Sequence, residues 1–458
     1  MSAIDDVLKY IATNEIRWID LQFVSVDGRL QRTSISNRKV EEETFGKGTY
    51  SGNLGEVFGK SEQGELVLLP DPDTLARIPW EPATVRFFCD VIAMPDRERF
   101  LKDSRYVAER METNLSAAGI AYSKVGTEAD CCIFDTVTMD RTTQGRGVGA
   151  IIDTRESFWA PSPLSNIKKG SYVNQPFDSL YPARCQASET LEDSFGVMVD
   201  GHRHGKAPTA QQTFELAERG LKAAADGFNT FKFVVRNLAT AVNATCTFMP
   251  YPIEGEKGND LNIAVSLWKT AENNLFYDAK DDYAQLGQAG RYYIGGLLEH
   301  APALSLFTCP IPNSYKKLAV EEKTMGWSAR DPNALVSVAH AKKNAKASKR
   351  VIYKGADPSV NAYLAYAAVV AAGLDGIKNK IDPGDPTEQE KEGKKKRTAK
   401  ELPASLYEAI EALESDTKFI KGVVPAELLE DYLDLKLRQY KEDRKAVSMD
   451  DHKKYYSV

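Results

Sequence analysis

Histidine is scarce in this 458-residue chain, with five in all, and none of the six cysteines stands in a CxxC pair. Zinc-finger and thioredoxin-type chemistry are thereby excluded. Cys131 and Cys132 are adjacent on a predicted strand, and the six are read as buried free thiols of a reducing compartment rather than as disulfides. No apolar run approaches the roughly 18 residues of a membrane-spanning helix. The opening "MSAIDDVLKYIATNEIRW" is acidic and amphipathic, unlike a signal peptide. A cytoplasmic setting without membrane partners is the expectation. Also missing are a Walker loop, a GxGxxG turn and a GxSxG elbow, which removes the P-loop, dinucleotide-fold and nucleophile-elbow readings. Basic charge is not in excess: the net charge is −6, which argues against nucleic acid as a main partner.

What is present is ordinary for a folded protein, 42% hydrophobic and 27% charged, with a length prior of about two or three domain-sized units. Residues 4–13 suggest a short helix. "RWIDLQFVSVDGRLQRTSIS" alternates as a strand does, with Asp27-Gly28 as a hairpin turn. "ELVLLPDPDT" and "TVRFFCDVIA" add strands, so a small β-rich unit is expected to end near residue 102. "DSRYVAERMETNLSAAGI" reads as a helix capped by Asp103 and stopped by Gly119, and "AYSKVGTEADCCIFDTV" as a strand. Residues 140–185 read as long loops or hairpins. From 209 to 241 apolar residues at Phe214, Ala217, Leu221 and Ala224 predict a helix capped by Thr209. "QAGRYYIGGLLEHAPALSLF" and "SVNAYLAYAAVVAAGLDGIKNKI" are strongly helical. Residues 387–401 form a mixed-charge run, read as a solvated loop rather than a nucleic-acid patch at Lys394–Arg397.

The stretch "VDGHRHGKAPTAQQTFELA", residues 199–217, poses the functional question. His202 and His204 alternate and so share a face of a strand, a plausible start to a metal site. No carboxylate follows until Glu215.

Four segments carry a resemblance: "LVLLPDPDT" at 66–74, "TFMPYPIEG" at 247–255, "RYYIGGLLEHAPALSLFTCPIPNSYKKL" at 291–318, and "DPSVNAYLAYAAVVAAGLDGIKNKIDPGDP" at 357–386. All closely resemble glutamine synthetase of the prokaryotic type I, and the likeness runs from about residue 15 to the C terminus. It implies an α+β fold: a small N-terminal β-grasp domain, placed at 1–102, and a large catalytic domain, placed at 103–458. It also implies a homo-oligomer, a dodecamer of two hexameric rings. The family reaction joins ammonia to the γ-carboxylate of glutamate through an ATP-derived acyl phosphate. Divalent cations are central to such chemistry.

Carried over residue by residue, the family's metal ligands are mostly missing. Its strand G-P-E-P-E-F falls on "GTEADC", leaving Glu128 and Asp130, one for each metal. The two glutamates of H-H-H-E-V-A-x-x-G-Q-N-E fall on Gly205 and Thr213, its metal-binding histidine on Asn262, the histidine after that on Ala264, and the glutamate of R-I-E-x-R on Ile352. Glu128, Asp130 and Asn262 are thus remnants of a metal site, and His202 and His204 are structural. An aromatic at the adenine pocket of some relatives falls on Glu218, and the second arginine of S-A-R-N-R on Pro332. The ammonium-side loop is replaced by "YSGNLG" at 50–55, and the flexible loop by "AVEEKTMG", in which Glu321 or Glu322 is the candidate stand-in. Cationic positions survive better, at Lys317, Arg330, Arg350 and Lys354, while Ser266 and Gly258 match nucleotide-side positions.

The resulting expectation is a divergent, non-catalytic relative, with no cofactor, that keeps the oligomeric shell as a structural or regulatory body in nitrogen metabolism. An active glutamine synthetase paralogue is a candidate partner. The cavity is expected to carry excess positive charge and to bind a small anionic metabolite through Lys317, Arg330, Arg350, Lys354 and Ser266. The alternative is a divergent ATP-dependent glutamate–ammonia or glutamate–amine ligase using Mg²⁺ or Mn²⁺.

Overall fold

The structure, a computed structural model, describes residues 3–50, 54–58, 65–139, 150–157, 159–160, 170–321, 323–339, 345–389, 400–447, 451 and 454. The expected helix at the start spans Ala3–Thr13. The alternating segment that follows forms a hairpin of Trp18–Val24 and Leu30–Ser36, with Gly28 at φ +84° in its turn. Trp18–Val24 also pairs in parallel with Thr84–Ala93, which in turn pairs antiparallel with Leu66–Pro70. This twisted sheet is the N-terminal unit. Its hairpin tip rests on Asn361, and a Cβ on Gly28 would lie 2.8 Å from the Asn361 Cα, so glycine is required by both φ and space.

Asp103 caps the helix Ser104–Ala117 by accepting from the Arg105 N–H. The Arg105 side chain is buried and joins the two halves of the molecule. It bonds Asp71 and Asp90 of the N-terminal unit and Asp226 of the helix Leu221–Ala241 at 2.5–2.9 Å.

The second, larger sheet runs in the order Val199–His204, Gln211–Arg219, Tyr122–Phe134, Leu261–Thr270, Val351–Ala356, Ala334–Val338, Thr324–Ser328. Its central strand Tyr122–Phe134 is the one predicted. The predicted helix at 209–241 is corrected: Gln211–Arg219 is a strand, and the helix begins at Leu221. The apolar spacing of Phe214, Ala217, Leu221 and Ala224 mimics a helical stripe, but Phe214 and Leu216 belong to a period of two that buries one strand face. Thr209 caps nothing; its hydroxyl and N–H bond the Glu256 carboxylate. Of the segment 140–185 read as loops or hairpins, Ala150–Asp153 pairs antiparallel with Thr136–Met139, but residues 181–185 open the helix Tyr181–Phe195; residues 140–149, 158 and 161–169 lie outside the described residues, as do Lys394–Arg397.

Behind the sheet lies an apolar layer of helices. Ala362–Asn379 is buried nearly all round and packs on Gln288–Glu299, Ser104–Ala117 and Leu221–Ala241. Gly296 and Gly376 set its closest approach: a Cβ on Gly296 would lie 2.1 Å from the Ala372 carbonyl oxygen, and one on Gly376 2.2 Å from that of Tyr292. Among the described residues, no helix is long and apolar enough to cross a membrane. All six cysteines are free thiols; Cys89, Cys131, Cys132 and Cys309 are buried as expected, whereas Cys185 and Cys246 are only half-buried.

Candidate functional site

The open face of the large sheet carries a cavity of about 330 Å³. Strand register builds it. Glu128 stands opposite Glu215 on one side and Asn262 on the other, so three neighbouring strands set these side chains in a row. Asp130 stands opposite Thr213. Of the remnant positions read from the sequence, Glu128 and Asn262 meet in the cavity lining, while Asp130 is buried and does not line it.

All three are engaged in hydrogen bonds. The Glu128 Oε1 accepts from the Asn262 amide at 2.8 Å, and its Oε2 meets the Arg203 guanidinium at 2.7 Å. The same guanidinium holds Glu215 at 2.5 Å. Asp130 is buried and accepts from the Thr213 hydroxyl at 2.6 Å and from the Asp260 N–H at 3.1 Å. Burial pushes the Asp130 carboxyl up to about 7, and Asp260 adds to the rise. Ile352, at the position of a family glutamate, lines the cavity and has no donor to give. Among the described residues no three His, Cys, Asp or Glu side chains gather as a metal site needs. Mg²⁺ usually keeps several waters and binds through one or two carboxylates; here Glu128 and Glu215 are already paired with Arg203, and Asp130 with Thr213.

Neither His202 nor His204 lines the cavity. His202 turns to the helix Tyr181–Phe195, where the Arg184 Nε donates to its Nδ1 at 3.4 Å. Burial, then Arg184, lowers its pKa. His204 is buried, with Nδ1 2.8 Å from the Gly205 carbonyl and Nε2 3.4 Å from Glu156.

The expected cations fare unevenly. Lys317 is buried beneath the cavity rather than lining it, its ammonium 2.6 Å from Asp260. It passes over Gly258, where a Cβ would lie 2.7 Å from the Lys317 Cγ. Burial disfavours the Asp260 carboxylate, but Lys317, Lys323 and Lys206 hold it well below the ordinary range. Arg350 lines the cavity and is paired with Glu218 at 2.8 Å. Arg330 is exposed and lies outside the cavity lining, and Ser266 is buried, its hydroxyl accepting from the Trp268 indole N–H at 2.9 Å. Lys354 does line the cavity. Among the described residues it meets the Pro332 carbonyl at 3.2 Å and no carboxylate within 4 Å. Burial, then Lys323 and Lys206, lowers its pKa.

Excess positive charge is therefore corrected. Lys206, Lys323, Arg350 and Lys354 face Glu128, Asp200, Glu215 and Asp260 across the same cavity. The charges are paired instead: Lys206 and Lys323 lie on Asp260, Arg350 on Glu218, and Glu128 and Glu215 on Arg203. Nor are acids absent from the cavity: Asp200, Glu215 and Asp260 come from positions where the family ligands do not lie. Of the loop candidates, Glu321 lies 3.4 Å from Lys323 and 3.7 Å from Lys317. Glu322 and residues 51–53 lie outside the described residues.

Comparison with known proteins agrees with this architecture. The glutamine synthetase β-Grasp domain matches residues 15–94 and the glutamine synthetase catalytic domain residues 101–455. Glutamine synthetase of Sulfolobus acidocaldarius is 35% identical, covering 98% of this chain and 96% of its own length. That of Rhizobium meliloti is 32% identical over the whole of both chains. The solved glutamine synthetase of Plasmodium falciparum superposes with a TM-score of 0.88 at 20% identity, covering 100% of this chain and 99% of its own.

Proposed function

The chain belongs to the glutamine synthetase family, and from that premise we propose that it binds a small anionic metabolite without a divalent ion and does not run the ligase step. Its assembled shell then serves a structural or regulatory role in cytoplasmic nitrogen metabolism, as a dodecamer or in company with an active paralogue. The observation that supports this reading is the wall beside the two remnant carboxylates. Ile352 lines it and Thr213 lies buried next to Asp130 where the resemblance calls for glutamates, and Thr213 spends its hydroxyl on Asp130. Phosphoryl transfer is largely positioning and charge neutralisation, and the loss of one metal ligand or its support costs about 10–100-fold. Lys206, Lys323 and Lys354, all in the cavity lining, suit a phosphate, sulfate or carboxylate.

The comparisons favour the second reading, an ATP-dependent carboxylate–amine ligase. The relatives cited are named glutamine synthetase and align along nearly their whole length. The acids Asp200, Glu215 and Asp260 also give that reading carboxylates in the cavity. ATP and Mg²⁺ or Mn²⁺ belong to it. One assay separates the two: γ-glutamyl hydroxamate formation by the purified chain with Mg²⁺ or Mn²⁺. No turnover above background is expected. Turnover that Glu128→Ala abolishes would establish the ligase.

A further inference from the structure

We propose that Arg203 is a resident cation in place of a divalent metal: it neutralises Glu128 and Glu215, excludes Mn²⁺ and Mg²⁺ from that part of the cavity, and covers a latent cation site. This rests on the metal-free reading above and names the residue that enforces it.

The register makes the cation necessary. Glu128 and Glu215 are directly opposed on neighbouring strands, and like charges so placed repel. Strand alternation directs His202 and His204 to the far face and Arg203 to the cavity face. Its two terminal nitrogens then divide between the carboxylates, Nη2 on Glu128 and Nη1 on Glu215, where a lysine would supply the neutralising charge without the planar fork. Burial disfavours the guanidinium, but Glu128 and Glu215 more than restore its charged form. The Asn262 amide closes the set on the remaining Glu128 oxygen. Remove the guanidinium, and two carboxylates and an amide that can turn its oxygen inward remain together, which is a hard-oxygen donor set. The side chains are part-exposed, 25% for Arg203 and 29% for Glu128, so an ion can enter from solvent.

The experiment is titration of the full-length chain with Mn²⁺, followed by loss of the free-ion electron paramagnetic resonance signal and by melting temperature. Arg203→Ala and Arg203→Met are run beside Arg203→Lys and the double variant Arg203→Ala/Glu128→Gln. Wild type and Arg203→Lys should bind no Mn²⁺ at about 1 mM. The two neutral variants should bind one ion per chain at least about tenfold more tightly than wild type, and Glu128→Gln should remove it. Folded neutral variants with no gain, or a gain that survives Glu128→Gln, overturn the proposal and leave the metal-free reading standing. Mn²⁺ held by wild type through Glu128 overturns the metal-free reading itself. If both neutral variants unfold in chelator, recovery of the melting transition with Mn²⁺ supports the proposal and failure to recover counts against it.

Discussion

The helical layer and the cavity wall are built on opposite terms. Ala362–Asn379 meets its neighbours through small apolar residues and glycine contacts, and its order comes from close packing. The cavity wall is a chain of paired charges: Arg203 with Glu128 and Glu215, Lys317 with Asp260, and Arg350 with Glu218. Removing atoms and removing charges should therefore cost different amounts in the two regions. In the first the penalty is steric and blind to solution conditions. In the second it is the penalty of a buried group left without its partner.

The largest effect is expected at Lys317. Lys317→Met leaves Asp260 buried beside Asp130 with only Lys206 at 3.3 Å and Lys323 at 3.8 Å. A loss of about 3 kcal/mol in denaturant unfolding is expected. A loss below 1 kcal/mol, by the same measure, would mean that the two remaining lysines suffice and that the wall is less charge-dependent than the comparison holds.

Next comes the helical layer. Gly376→Ala forces a methyl against the Tyr292 carbonyl and the Gly296 backbone. About 1–3 kcal/mol should be lost, equally in low and high salt. A salt-dependent loss would erase the distinction between the regions.

These two regions were also unequally legible in the sequence. "YIGGLLE" and "AYLAYAAVVAAGLDGI" announce buried helices because local periodicity and burial coincide there. Glu128 and Asp130 were legible through the resemblance, and alternation puts them on one face. Arg203, Asp200, Glu215, Asp260, Lys206 and Lys323 were not, for a physical reason. Residue-by-residue transfer inspects inherited positions only, whereas a charge can enter the same cavity from a neighbouring strand. One clue was present. If His202 and His204 share a face, Arg203 points to the opposite one. The strand at 211–219 was hidden because its apolar residues run on into a genuine helix at helical spacing.

A third, smaller effect tests the charged node within the helical layer. His300 joins Gln288–Glu299 to Ala301–Thr308, with Nδ1 2.7 Å from Asp416, Nε2 3.0 Å from Asp375, and its ring stacked on Phe419. Burial disfavours the imidazolium, but the two carboxylates more than offset this and raise the pKa. The folded value thus lies above the unfolded value of about 6.5. The stabilisation is fully present below that pH and is lost as pH rises through the folded pKa. His300→Gln should cost on the order of 1 kcal/mol at about pH 5.5, with the gap to wild type shrinking by about pH 8.5. Melts showing a constant gap would mean that the ring acts through packing on Phe419 alone.

The smallest effect on stability should accompany the clearest effect on binding. Lys354 sits among cations, near Lys206 and Lys323, with a backbone carbonyl and no carboxylate against it among the described residues. Lys354→Met therefore breaks no ion pair seen in the structure, and stability should stay within about 0.5 kcal/mol of wild type. Sulfate or phosphate should raise the melting temperature of wild type, less so as sodium chloride is added, and without regard to EDTA. That increment should disappear in Lys354→Met and persist in Arg330→Ala, because Arg330 is exposed outside the cavity lining. An increment that survives Lys354→Met would move the anion away from Lys354. One that needs Mg²⁺ would instead favour the ligase.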